Sequence, residues 1–242
     1  MSRETARRTP EQRTAAREGF AVAAAVSVYA VSFGAVSTAA GLDVWQTCAL
    51  SLLMFTGASQ FAFVGALSGG GTIPSAAATA LLLGLRNTLY GLRLASVLGF
   101  HGPRRIAAAH LVIDESTAMA IGRPDPASAR TGFLVTGGGI FIGWNLFTLL
   151  GAVGGTMIGD PRDYGLDAVV AAAFLALVWP RLSGTVHRVT AVGAVAVALG
   201  LVPFTPAGAP VLAAAGVAIG LALVVRDPGA EVDDVTTAEE AR

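Results

Sequence analysis

Between Gly19 and Arg86 the chain carries a single charged side chain, Asp43. No water-soluble domain is built on such a stretch, because a soluble surface needs charge along the whole chain, and about a quarter of residues is usual. Here the 242-residue sequence is 13% charged and 54% hydrophobic, with a mean hydropathy of +0.66. Those proportions exclude a disordered chain and a coiled coil, and the zero net charge excludes a basic nucleic-acid binder. Most of the chain is therefore expected in lipid. With no water there to answer backbone amides, an apolar chain of this kind is expected to be helical.

Five arginines, Arg3, Arg7, Arg8, Arg13 and Arg17, precede Gly19, a skirt of the kind held on the cytoplasmic side. The apolar run that follows, 19–40, is too long for a signal peptide, whose apolar region is about 7 to 15 residues. Further runs fall at 44–67, 74–98, 131–155, 166–180, 188–203 and 209–225, separated by turn-forming Gly, Pro and Asp. An eighth candidate, 106–121, has apolar ends but Asp114 and Glu115 in its middle. It could cross, dip in or lie flat. If it crosses, eleven of the arginines counted lie inside against three outside; if it does not, six lie inside and eight outside. The positive-inside rule favours the first. The sequence thus reads as an all-α polytopic membrane protein with seven to eight membrane-embedded helical segments and both termini inside. Residues 1–18 form a basic cytoplasmic segment, 19–225 the membrane transport domain and 226–242 an acidic disordered tail. Gly34-Ala35-Val36 followed by Gly41-Leu42-Asp43 recurs as Gly151-Ala152-Val153 followed by Gly165-Leu166-Asp167, a hint of two related halves such as transporters often have.

The least expected residues lie in 79–100. Arg86, Tyr90 and Arg93 share one stripe of a helix, at i, i+4 and i+7. A guanidinium near mid-span costs roughly 2.5 to 3.5 kcal/mol to insert, so Arg86 must face a partner or a wet cavity, whereas Arg93 can snorkel to the end of its helix. Asp114 and Glu115 are the natural partners, since the candidates' one other acid, Asp167, stands at the very start of its run. They point about 100° apart on a helix, so one can answer Arg86 while the other faces solvent or substrate. Two readings stay open: an ion pair that only locks two helices, and a polar pathway. In the second run, Ser59 and the amide of Gln60 need hydrogen-bond partners in hydrocarbon, either a substrate or a neighbouring helix.

Other features carry no chemistry. His101, His110 and His187 lack metal-ligand spacing, no serine has the pattern of a nucleophile, and no Walker A loop is present. One cysteine, Cys48, allows no intrachain disulfide. No enzyme activity, metal or cofactor is expected.

Three phrases, Phe55-Thr56-Gly57-Ala58-Ser59-Gln60-Phe61, Leu85-Arg86-Asn87-Thr88-Leu89-Tyr90-Gly91 and Ile113-Asp114-Glu115-Ser116, stand in an order and spacing that resembles the AzlC family, the large subunits of branched-chain amino acid exporters. The resemblance covers nearly the whole chain. It implies a multi-pass permease of the bacterial inner membrane that exports leucine, isoleucine and valine with a small AzlD-type membrane partner, driven by the membrane potential or a proton gradient. Family members commonly carry His where this chain has Asn87, and Thr where it has Ile113. Any proton shuttle through that histidine is closed here, since Asn does not titrate. An amino acid needs a cation for its carboxylate, an anion for its ammonium and an apolar wall for its side chain. Arg86, Asp114 or Glu115, and Phe61 are the candidates for these, with Ser59, Gln60, Asn87 and Tyr90 placed to orient the substrate. The competing expectation is a non-transporting assembly subunit whose intramembrane charges are structural.

Overall fold

Thr9 opens the first helix. Its hydroxyl accepts the Gln12 N–H at 3.3 Å, the Gln12 side chain answers the Thr9 N–H at 3.0 Å, and Pro10 takes the first helical position. The computed structural model describes residues 8–157, 175, 179, 182–205 and 209–224, and every regular element among them is helical. In chain order these are α1 (Pro10–Ala39), α2 (Val44–Leu53), α3 (Ala58–Ser68), α4 (Ile73–Leu98), α5 (Pro103–His110), α6 (Asp114–Ala120), α7 (Pro126–Met157), α8 (Thr185–Leu201) and α9 (Ala209–Val224). Two of them, α1 and α7, are long and apolar enough to cross a membrane. The expected run at 166–180, the tail 226–242 and the second half of the repeated phrase lie outside the described residues, save Leu175 and Trp179.

Helices α1 and α7 form the spine, and they run parallel. Gly19 meets Thr136, Ala23 meets Gly139, Ser27 meets Gly143, Gly34 meets Thr148 to Ala152, and Thr38 meets Gly155, in ascending order along both. The contact is backbone on backbone: a Cβ at Gly34 would overlap the Thr148 carbonyl, and one at Gly151 the Val31 carbonyl. Small residues at these steps let two long helices approach closely, so packing and not solvent exclusion holds them in lipid. The repeated Gly-Ala-Val phrases thus face each other across this contact, near the far end of both helices.

Helix α4 runs the opposite way. Its last turn reaches the start of α7, where the Arg130 Nε donates to the Leu98 carbonyl at 2.6 Å and Leu94 and Leu98 pack with Ala129 and Phe133. The start of α1 is at this end too, since Arg123 pairs with Glu18 at 2.6 Å. Asp125 begins α7 by accepting the Ala127 and Ser128 N–H groups, each at 2.9 Å. The Ser128 hydroxyl and backbone N–H beside it hold its carboxyl below the usual range.

Between these helices the chain does something periodicity does not reveal. The run 44–67 is not one continuous helix. It breaks at Met54 to Gly57, and α3 turns back, packed against α4: Ser51 is level with Thr148, Gly57 with Trp144, and Phe61 has climbed to Tyr29 and Phe33. Gly57 makes the reversal, with φ +56° and ψ −84°, a conformation that excludes side-chain-bearing residues. The segment 106–121 likewise breaks, at Leu111 to Ile113. Helix α5 climbs from the basic end to His110, against Phe55 and Phe141, and α6 descends until Met119 lies on Gly132. The Ser116 hydroxyl pins this tip, donating to the Leu111 carbonyl at 2.6 Å and accepting the Ile113 N–H at 3.1 Å.

The crossing favoured for 106–121 is thereby corrected to a dip, and 44–67 to a second dip from the other end. Both corrections have one cause: a helix broken at mid-depth leaves its apolar pattern intact, so hydropathy reads a hairpin as a span. The arginine count changes accordingly. Of the nine arginines in 8–157, all but Arg86 lie at the end where α1 begins, including Arg104 and Arg105, which both readings of 106–121 had put outside because they took 44–67 as a span. Each hairpin leads into a long helix, α2-α3 into α4 and α5-α6 into α7, and the two units enter from opposite ends. They are two hairpin-plus-helix units of opposite orientation, the arrangement of an inverted repeat and a different relation from the one the Gly-Ala-Val phrases suggest. Farther along the chain, α8 packs on α9, which also touches α4.

Candidate functional site

The two hairpin tips meet at mid-depth. His110 ends α5, and its Nε2 lies 2.9 Å from the Leu52 carbonyl in the last turn of α2, so that nitrogen carries the proton. Its ring and that of Phe55 both lean on Phe141 of α7, with centroids 5.4 and 5.1 Å away.

Arg86 stands beside this junction. It lies thirteen residues after Ile73 and twelve before Leu98, roughly 19 Å from either end of α4 at 1.5 Å per residue. Its Nη2 is 3.1 Å from Asp114 Oδ2, and the two side chains keep 25% and 28% of their surface accessible. The cation is thus both answered and reachable. Asp114 and Glu115 occupy the first turn of α6, where the helix dipole favours carboxylates. Two polar atoms on adjacent residues of α4, Arg86 Nε and Asn87 Oδ1, are buried with no hydrogen-bond partner among the described residues. Ser59, the second residue of α3, is 2% exposed and its hydroxyl also has none. It sits where a Cβ on Gly84 would be 3.4 Å away, so the lack of a side chain there brings the start of α3 against α4 two residues before Arg86. Arg86, Asn87, Asp114 and Ser59 therefore gather along one stretch of α4, with Glu115 next to Asp114 on α6.

Gln60, Phe61 and Tyr90 belong elsewhere. The Gln60 amide accepts the Trp144 Nε1–H at 2.9 Å and donates to the Ser51 carbonyl at 3.3 Å, tying both arms of the first hairpin to α7. Phe61 is buried against Tyr29 and Phe33, with centroids at 5.3 and 5.4 Å. Both are core residues, and of the two partners left open for Gln60 the structure supplies the neighbouring helix. Tyr90 packs one turn below Arg86 on the Leu94 and Leu98 cluster, and Arg93 is exposed toward the basic end. Sequence reasoning missed His110 and Trp144. The signal for Trp144 was available in principle, because a buried amide needs a donor and few intramembrane side chains supply one. Gln60→Leu strips the indole N–H of its acceptor, at a cost of about 1 to 3 kcal/mol. A melting temperature lower by several degrees, read by thermal size-exclusion chromatography of the detergent-solubilised protein, is the expected result.

The family described as AzlC protein matches residues 21–158. The chain belongs to the AzlC family. The matched stretch runs from within α1 to the end of α7, and takes in both hairpins and the Arg86 to Asp114 pair. A protein of Archaeoglobus fulgidus described as an uncharacterized membrane protein is 30% identical to this AzlC-family chain over 200 residues, 81% of this chain and 88% of that one. No solved structure matches. An AzlC-family membrane protein is therefore what the hairpins and the ion pair belong to.

Proposed function

We propose that this AzlC-family protein is the large subunit of a secondary exporter of branched-chain or other small apolar amino acids. It works as a multi-pass protein of the bacterial inner membrane, with its arginine-rich end in the cytoplasm. The observation that carries this reading is the Arg86 to Asp114 pair, partly accessible at the middle of α4 and next to two broken helices. Discontinuous helices at mid-membrane are where transporters bind substrate, because half-helix ends and unwound backbone offer fixed polar groups at a depth that otherwise has none. A zwitterion fits that arrangement. Arg86 takes the carboxylate, Asp114 or Glu115 the ammonium, and the apolar surfaces nearby take the side chain. No chemical transformation is involved, and a small AzlD-type membrane subunit completes the complex.

The pair also joins α4 to α6, which favours one competing reading, an architectural subunit with no transport of its own. Efflux separates the two. Cells loaded with leucine-containing dipeptides are expected to release leucine faster when this chain and its small partner are co-expressed than with either alone, and uncoupler is expected to remove the difference. Equal release from expressing and non-expressing cells would reject the transport reading.

A further inference from the structure

One ring fastens the two hairpin tips to each other. Helix α2 ends at mid-depth, where its last carbonyls have no water to turn to. Leu50 accepts the Met54 N–H at 2.9 Å and Ser51 the Gln60 amide at 3.3 Å, both from within the first hairpin. The Leu52 carbonyl is answered from the second hairpin, by His110 Nε2 at 2.9 Å. The depth follows from Phe141, on which the ring leans. Phe141 lies fifteen residues after Pro126 and sixteen before Met157, about 23 Å from either end of α7 at 1.5 Å per residue.

His110 is exposed, and its other nitrogen, Nδ1, makes no hydrogen bond to a described residue. An ionisable ring at this depth marks a polar cavity or a proton path by default. The titratable and charged groups on the elements around it are few: Cys48 on α2, Arg104 and Arg105 at the start of α5 itself, and Arg130 near the start of α7. Beyond the break, Asp114 is engaged by Arg86 and Glu115 follows it on α6.

Imidazole is the side chain whose charge changes between about pH 5 and 8. While neutral it carries one proton, on either nitrogen. With the proton on Nε2 the bond to Leu52 stands. With the proton on Nδ1 a lone pair faces the carbonyl, and the bond is lost. Imidazolium carries both protons, so the bond stands in every state of the charged ring and, being charge-assisted, is roughly twice as strong. Proton binding at Nδ1 therefore fastens the tips, and proton loss frees them to part.

We propose that His110 is a proton-binding site that couples a proton gradient to the movement of the two hairpins. Nδ1 takes a proton from water on the outer side, forming an N–H bond, and returns it to water on the cytoplasmic side; no other covalent bond is made or broken. Helix α6 begins at Asp114, directly after the break that follows His110, so the state of the tips is passed to the Arg86 to Asp114 pair. This inference rests on the transport reading above and adds to it the group that carries the proton.

The test uses the full-length protein with its small partner in proteoliposomes, with radiolabelled L-leucine as the probe. Leucine counterflow at equal pH reports the carrier itself, and accumulation under an imposed pH gradient reports coupling. One pH unit is a factor of ten in proton activity, so wild type is expected to accumulate leucine up to about tenfold per unit for one coupled proton. His110→Gln keeps a donor for the Leu52 carbonyl but cannot titrate. It is expected to retain counterflow, to lose the accumulation, and to lose the dependence of rate on pH between about 5 and 8. Should this variant fail to insert, the wild-type protein still decides: a leucine gradient imposed without a pH gradient is expected to move protons the opposite way, read by pyranine trapped in the vesicles. Wild type without leucine counterflow would reject the transport reading. Wild-type counterflow with no leucine-driven proton movement would overturn the proton site alone. So would His110→Gln that still accumulates leucine on a pH gradient, or that loses counterflow along with accumulation, which would make the ring a structural clasp.

Discussion

Arg86→Ala abolishes export while leaving the protein in the membrane; that is the expected result of removing the one cation at mid-depth among the described helices. Truncating one partner of a fully buried pair costs about 3 to 5 kcal/mol, because the other charge is left uncompensated. Here the cost is smaller, since each side chain keeps about a quarter of its surface accessible and solvent screens what remains. Stability alone therefore does not account for a complete loss of transport. The double variant Arg86→Leu with Asp114→Leu sharpens the test. It leaves no orphan charge, so thermal stability in detergent is expected to return close to wild type while leucine efflux stays absent. Efflux restored in the double variant would make the pair architectural and move the substrate site elsewhere. Arg86→Lys keeps the charge but loses the planar fork that meets carboxylates in two places, and an intermediate rate is expected.

The second large effect lies away from the site. Gly34→Leu and Gly151→Leu are each expected to prevent accumulation of folded protein. At Gly34 a side chain would run into the Thr148 carbonyl and the Ala152 amide, and at Gly151 into the Val31 backbone. Overpacking ordinarily costs about 1 to 3 kcal/mol because neighbouring side chains yield. A backbone carbonyl inside a helix cannot yield without parting α1 from α7, so the effect exceeds that range. Gly154, on the same helix, has nothing within 4 Å of its Cβ position, and Gly154→Leu is the control expected to fold. Fluorescence-detected size-exclusion profiles of tagged variants read all three. A normal monodisperse peak from Gly34→Leu would show that the parallel contact is looser than described.

The limits of the linear pattern are clearest at three places. Arg86 and Asp114 were legible together because a charge in hydrocarbon demands a partner and the membrane candidates held one acidic couple. Gln60 was half legible: its amide had to be answered, but whether by substrate or by protein depended on Trp144, 84 residues away. The hairpins were not legible. Gly57 and the Leu111 to Ile113 break interrupt a helix without interrupting its apolar run, and hydropathy averages over such an interruption. His110 was passed over for the same reason, since its role depends on the Leu52 carbonyl of another hairpin.

By itself the sequence determined the medium and the secondary structure, because apolar side chains leave water for hydrocarbon and backbone amides can follow them only when hydrogen-bonded within a helix, and both are properties of local composition. It also determined that Arg86 needs an acid. Tertiary structure alone decided that two of the apolar runs reverse at mid-depth, that their tips touch, and that α1 and α7 run parallel with their glycines face to face. Those outcomes turn on single backbone torsions and on contacts between residues far apart in the chain, and no periodicity records either.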